Sequence, residues 1–165
     1  MIVKRRYFVR KDKSNEIREG LKGTLEDFPG LWPKGQRVEI VETDEALSLI
    51  LIDGKPILFE TDGRYFPTLK SALDIPIEKK FVTVDEGAVR FVVNGADIMR
   101  PGIVDFDKGI EEGDVVIVVE ERHRKPLAIG VSMFKGEDLE EMTSGKCIKN
   151  VHYVGDKIWE TLKKI

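Results

Sequence analysis

Few side chains in this sequence are of a kind that performs covalent chemistry, and their spacing decides what they can do. Cys147 and His152 lie five residues apart, a separation at which a thiol and an imidazole could serve as nucleophile and base. A single cysteine beside a strand-like run is the usual pattern of a small core residue, and Cys147 is read that way. "TSGKC" has the Gly-Lys pair of a phosphate-binding loop. Glu140, however, stands where the leading glycine belongs, and Cys147 replaces the hydroxyl residue that would hold magnesium. The acids of "DFDKGIEEGD" do not have the spacing of a calcium loop. His123 and His152 leave little from which to build a zinc centre. Neither a G-x-S-x-G elbow nor an H-E-x-x-H pair occurs. The residues therefore predict no catalytic set, no metal and no cofactor.

What remains is chemistry of binding. The first thirteen residues hold Lys4, Arg5, Arg6, Arg10, Lys11 and Lys13 against one acid, Asp12. Such a run is a solvated face or a phosphate contact. "ERHRKP" places Arg124 and Lys125 at the tip of an expected hairpin, where they would make a second phosphate contact. "VNGADIMRPGI" sets glycines on both sides of an apolar pair, Ile98-Met99, that runs into Arg100 and Pro101. A proline cannot donate to a sheet ladder, so Pro101 ends a strand and redirects the chain.

These groups must be held by elements that the apolar spacing reveals. "SNEIREGLKGTLEDF" puts Ile17, Leu21, Leu25 and Phe28 on one helical face with Ser14 as N-cap, although Gly20 and Gly23 weaken it. "PGLWPKG" reads as a loop, followed by strand-like "RVEIVE", "LSLILI" and "PILFE". Asp53-Gly54 between the last two is a hairpin signal, since both residues tolerate positive φ. "PTLKSAL" is a short helix with Pro67 near its start, and "DIPIEKK" is a connector. The second half opens with strand "FVTV" and a helix over "DEGAVRFVVNG", with Asp85 as cap and Gly95 as the left-handed terminator. Strands "ADIM", "DVVIVVEE" and "PLAIGVSM" follow, then the acidic helix "GEDLEEM" and an amphipathic end, "NVHYVGDKIWETL". Many short strands with few helices predict a small mixed barrel in the second half, and an α+β fold class for the chain.

The 165 residues are 41% apolar and 35% charged, which suits a core-forming chain with an ionic surface. The net charge is −3, so contact with nucleic acid must be a local patch. One cysteine excludes an internal disulfide, and a reducing, cytoplasmic setting is expected. No apolar run approaches the roughly 20 residues of a membrane helix, and the basic N-terminus lacks the apolar block of a signal peptide.

Five ordered stretches, "DEGAVRFV", "NGADIMRPGI", "EEGDVVIVV", "PLAIGVSMF" and "GKCIKNVHYVGDKIW", together resemble the PUA domain, an RNA-binding pseudo-barrel. With "GRYFPTLKSAL" ahead of it, the chain resembles the malignant T-cell-amplified sequence proteins and their archaeal relatives. The resemblance implies an N-terminal α/β module over residues 1–78 and a C-terminal PUA domain over 79–165. It also implies a non-catalytic role in translation, with tRNA or ribosomal RNA, the small ribosomal subunit and a density-regulated-type protein as partners and no membrane. An accessory role beside an RNA-modifying enzyme is the alternative. Carried onto this sequence, the RNA groove comprises Arg90, Asn94, Gly95, Ala96, Met99, Arg100, Pro101 and Gly102. In it Gly95 and Ala96 would admit a nucleotide backbone to their N–H groups, and Arg100 would meet a phosphate or stack on a base. Lys4, Arg5, Arg6, Arg124 and Lys125 would make secondary contacts.

Overall fold

Asp53 and Gly54 both adopt positive φ, 51° and 80°, and close the hairpin around which the first half is built in this computed structural model. The structure describes residues 1–32 and 37–165. Two units are distinguished: Met1–Pro76 together with Glu160–Ile165, and Ile77–Trp159.

The first unit contains β1 (Val3–Phe8), α1 (Lys11–Gly20), α2 (Lys22–Asp27), β2 (Val38–Thr43), β3 (Leu47–Ile52), β4 (Lys55–Thr61), β5 (Arg64–Pro67) and α3 (Leu69–Ala72). Its five strands follow chain order in one antiparallel sheet. The β3 and β4 runs bury Leu49, Leu51, Leu58 and Phe59, which explains their strong apolar signal. β1 gave no such signal because nearly all its side chains are exposed on an edge strand.

The helix expected from Ser14 to Phe28 is instead two helices that break at Leu21 (φ −108°, ψ 4°). Gly20 and Gly23 flank the break, each costing about 1 kcal/mol of helix propensity relative to alanine. Ile17, Leu21 and Phe28 are still buried together. Ser14 lies inside α1, which begins after Arg10 without a side-chain cap. Pro67 ends β5 rather than starting a helix. Thr68 caps α3 by accepting a hydrogen bond from the Ser71 amide at 3.1 Å. Leu31 and Trp32 of the expected loop are buried, and its residues 33–35 lie outside the described residues.

The second unit contains β6 (Phe81–Val84), α4 (Glu86–Val92), β7 (Ile98–Met99), a 3-10 turn (Arg100–Gly102), β8 (Ile103–Phe106), β9 (Val115–Glu120), β10 (Pro126–Ser132), α5 (Gly136–Glu141) and β11 (Lys146–Tyr153). The last helix, α6 (Lys157–Leu162), runs into the first unit's terminal segment. The six strands are ordered β7-β11-β10-β9-β6-β8. β6 and β9 are parallel and the other pairs antiparallel. Val115 to Val119 are all buried, as a continuous apolar run in a doubly covered strand should be. This is the mixed pseudo-barrel that the strand pattern predicted. The run "ADIM" yields only a two-residue strand, and β8 follows the 3-10 turn unannounced, because two of its four residues face solvent. "NVHYVGDKIWETL" divides into the end of β11 and α6.

Candidate nucleic-acid interface

α4 is fixed at both ends by its own sequence. The Asp85 carboxylate accepts a hydrogen bond from the Ala88 amide at 2.9 Å, relieving one of the unpaired donors of the first turn. At the other end Gly95 takes φ 92°, the Gly95 amide donates to Val92 O, and the Ala96 amide donates to Phe91 O, each at 3.0 Å. This crossed pair is a Schellman ending, the geometry for which glycine is favoured. A Cβ on Gly95 would also stand 3.0 Å from the Tyr153 ring. The expected role of these amides therefore needs correcting: both already donate within the helix end, so they do not reach a nucleotide phosphate.

Asn150 on β11 secures the same corner. Its side-chain amide donates to Val92 O and Ala96 O, both at 3.0 Å, and its backbone amide donates to Asp97 Oδ1 at 2.9 Å. Sequence reasoning passed over Asn150, which has no motif of its own. Gly102 lies close under the helix, where an added Cβ would be 3.0 Å from the Ala88 methyl. Gly102 O accepts from the Asp85 amide at 2.9 Å. The start of the helix and the end of the turn are thus tied together.

Between them runs a groove of about 840 Å³, lined among others by Ala88, Phe91, Gly95, Ala96, Met99, Pro101, Gly102 and Lys146. Phe91 is 55% and Met99 45% exposed, which is unusual for large apolar side chains that have a core available. Lys146, at the start of β11, pairs across the strands with Met99. Its ammonium lies 3.6 Å from Asp97 Oδ2. Lys146 is the groove's cation, and the sequence reading missed it. Its signal was its place just after the glycine of "SGKC", a strand start beside the edge strand Ile98–Met99.

Of the residues expected here, Gly95, Ala96, Met99, Pro101 and Gly102 come together along the groove, and three do not. Arg100 is the main correction. Its Nε donates to Leu139 O at 2.6 Å and one terminal nitrogen donates to Ile103 O at 3.1 Å. The guanidinium also lies 5.6 Å from the Phe106 ring centroid. The 3-10 turn that Arg100 opens and Pro101 continues directs the Arg100 guanidinium to Leu139 O and Ile103 O, outside the groove lining. Arg90 lies outside the lining, with its guanidinium 4.8 Å from the Phe91 ring centroid. Asn94 donates to Arg90 O at 2.9 Å and closes the helix end.

The secondary basic residues are mostly engaged with neighbours. Arg5 pairs with Glu42 at 3.0 Å, and Arg6 pairs with Glu39. Hydrogen bonds from Arg5 and then Tyr7 hold the Glu42 carboxyl below its usual range. Lys4 borders a recess that includes Glu42, Glu45 and Glu60. Arg124 donates to Ile77 O at 2.9 Å, and its guanidinium is 4.8 Å from the Phe81 ring centroid. Lys125 is exposed, on a tip organised by Glu120, which accepts from the amides of Arg122, His123 and Lys125. Neither the basic run nor the tip is a set of free cations aimed at one phosphate path.

Cys147 is buried, and burial pushes its thiol pKa up. His152 Nδ1 lies 2.8 Å from Asp156 Oδ2. The pair is not arranged as nucleophile and base. Among the described residues no group of three or more His, Cys, Asp or Glu is placed to hold a metal, and no helix is long and apolar enough to cross a membrane.

The family described as PUA domain matches residues 80–154, and a domain of unknown function (DUF1947) matches residues 5–75. An uncharacterized protein of Methanocaldococcus jannaschii is 45% identical over 96% of this chain and 98% of its own length. Translation machinery-associated protein 20 of Schizosaccharomyces pombe is 33% identical over 90% of this chain and 89% of its own. The crystal structure of a hypothetical protein from Pyrococcus horikoshii superposes with a TM-score of 0.84 at 35% identity, covering 96% of this chain and 99% of that one.

Proposed function

The chain belongs to the PUA-domain family of translation machinery-associated protein 20 and the malignant T-cell-amplified sequence proteins, and from that premise we propose that it is a non-catalytic, cytoplasmic RNA-binding factor of the translation apparatus. The groove beside α4 takes an unpaired RNA end. The first unit docks on the small ribosomal subunit or on a density-regulated-type protein.

One observation carries this reading. An apolar groove of about 840 Å³ presents Phe91 and Met99 to solvent, with Lys146 at its side. An exposed ring offers a base a stacking surface worth roughly 1–3 kcal/mol. A single ammonium supplies the phosphate contact that positions the strand without reading its sequence. Asp85 and Asp97 also border the groove, and a site so weakly basic suits an exposed end better than the continuous backbone of a duplex. RNA is therefore held mainly by stacking.

Sedimentation of the full chain with purified small ribosomal subunits, in the presence and absence of tRNA, tests the assignment. Co-sedimentation that Phe91→Ala weakens when tRNA is present supports it. Failure to sediment under either condition, with co-purification of an RNA-modifying enzyme instead, would transfer the protein to the accessory role.

A further inference from the structure

α1 places two of its three cations, and none of its acids, on one polar stripe, with Lys13 paired to Glu16 off it. Lys11, Ser14, Asn15 and Arg18 fall at i, i+3, i+4 and i+7, one stripe of a 3.6-residue helix, while Asp12, Glu16 and Glu19 lie off it. That stripe forms one wall of a cavity of about 370 Å³ within the first unit, whose other walls include Phe8, Trp32 and Arg37. The volume is at the small end of the roughly 300–1,000 Å³ range of small-ligand sites. Three cations, Lys11, Arg18 and Arg37, border the cavity, and no carboxylate does among the described residues.

Two of those cations are already paired with rings rather than with acids. The Arg37 guanidinium lies 4.0 Å from the centroid of Phe8, and that of Arg18 lies 5.4 Å from Trp32. Phe8 is 56% exposed, so a flat surface of ring and guanidinium faces solvent beside the hydroxyl of Ser14 and the amide of Asn15. The nearby Asp53 carboxylate is occupied by the Arg37 backbone amide at 3.1 Å. Elsewhere in this unit the two arginines of β1, Arg5 and Arg6, pair with Glu42 and Glu39. Among the described residues the cavity's lining thus holds cations and rings, with Asp53 bonded to the Arg37 backbone outside it.

We propose that the first unit carries a nucleotide site of its own, between α1 and the start of the sheet, with phosphate held by Lys11, Arg18 and Arg37 and a base stacked against Phe8. Charge alone would suit any anion. The exposed ring-guanidinium surface adds selection for a planar base, because stacking and cation–π contacts reward a π-face. The nucleotide is either a unit of an RNA strand or a free mononucleotide, and the chemistry of recognition is the same for both. The site is built from residues of the first unit alone, and the groove beside α4 from residues of the second.

The test uses the full chain, following the Trp32 indole N–H and the α1 amides by two-dimensional NMR during titration with AMP, a short single-stranded RNA and inorganic phosphate in turn. AMP or the RNA moves these signals to saturation, and phosphate alone binds at least roughly tenfold more weakly. Lys11→Gln and Arg18→Gln each weaken binding roughly tenfold, the loss of one charge-assisted contact. Lys11→Gln disturbs no ring contact and so guards against a folding artefact. The α4 amides, read in the same spectra, report the groove separately, which distinguishes failure here from failure of the groove. Tighter binding of the oligomer identifies a strand as the source, and tighter binding of AMP a free nucleotide. Signals that stay still with both, phosphate binding as well as AMP, or indifference to both substitutions would each overturn the proposal.

Discussion

Arg100 shows how one residue type can point to function and serve structure. A lone arginine between Met99 and Pro101 reads as a phosphate ligand, but its guanidinium donates to the carbonyls of Leu139 and Ile103. Removing it leaves two carbonyls short of a charge-assisted donor, a loss of about 2 kcal/mol. Arg100→Ala is therefore expected to lower the thermal midpoint while leaving RNA affinity per folded molecule unchanged, as melting and titration of the same sample would reveal. Lys146 behaves in the opposite way. It is exposed, so its removal costs little stability, and Lys146→Ala should reduce the slope of log affinity against log salt by about 0.7, the value for one phosphate on a single strand. An unchanged slope would remove Lys146 from the interface. Sequence reasoning erred over Arg100 because side-chain direction in a 3-10 turn has no periodicity to read. It missed Lys146 because the pairing that places it beside Met99 joins residues 47 positions apart.

The elements that frame the groove were easier to foresee, since their signals are local. Asp85 and Gly95 bound α4 as expected, one through its carboxylate and the other through positive φ. Asp85→Ala should destabilise the second unit by about 1 kcal/mol, detectable as a lowered denaturant midpoint at unchanged slope. A similar device starts α6. The Asp156 carboxylate accepts hydrogen bonds from the His152 ring and from the amides of Tyr153 and Trp159. Burial on its own raises the pKa of this carboxyl, and the bonds from His152 and the two amides together outweigh burial and leave it below its usual value. With the folded value depressed, ionised Asp156 contributes stability above the ordinary carboxylate pKa and loses it as pH falls through the folded value. Asp156→Asn should thus be destabilised near neutrality, and its deficit relative to the wild type should shrink as the solution is acidified below about pH 4. A deficit independent of pH would show that shape, not charge, is what Asp156 supplies. The elements that escaped notice were the edge strands β1, β5 and β8 and the interior strand β11, whose stretch the sequence showed only as part of an amphipathic end. An edge strand with solvated side chains carries neither alternation nor an apolar run, so its pairing is set by tertiary structure alone.

At the scale of the whole molecule, a net charge of −3 makes general attraction to RNA weak. Binding must be local, and the groove's composition says of what kind. It has one lysine, two carboxylates and two exposed apolar side chains, Phe91 and Met99, so on the proposed reading stacking dominates over charge. The order of motifs already implied a pseudo-barrel behind an α/β module. What a linear reading could not supply was which side chains the barrel turns outward, because that depends on strands brought together from distant parts of the chain. The most direct test of the central claim is fluorescence anisotropy of a labelled RNA with an unpaired end, titrated with wild type and Phe91→Ala across a range of salt. A loss of roughly 1–3 kcal/mol in Phe91→Ala, equal at every salt concentration, is the predicted result. An affinity unaffected by the substitution, or a loss that fades as salt rises, would contradict it.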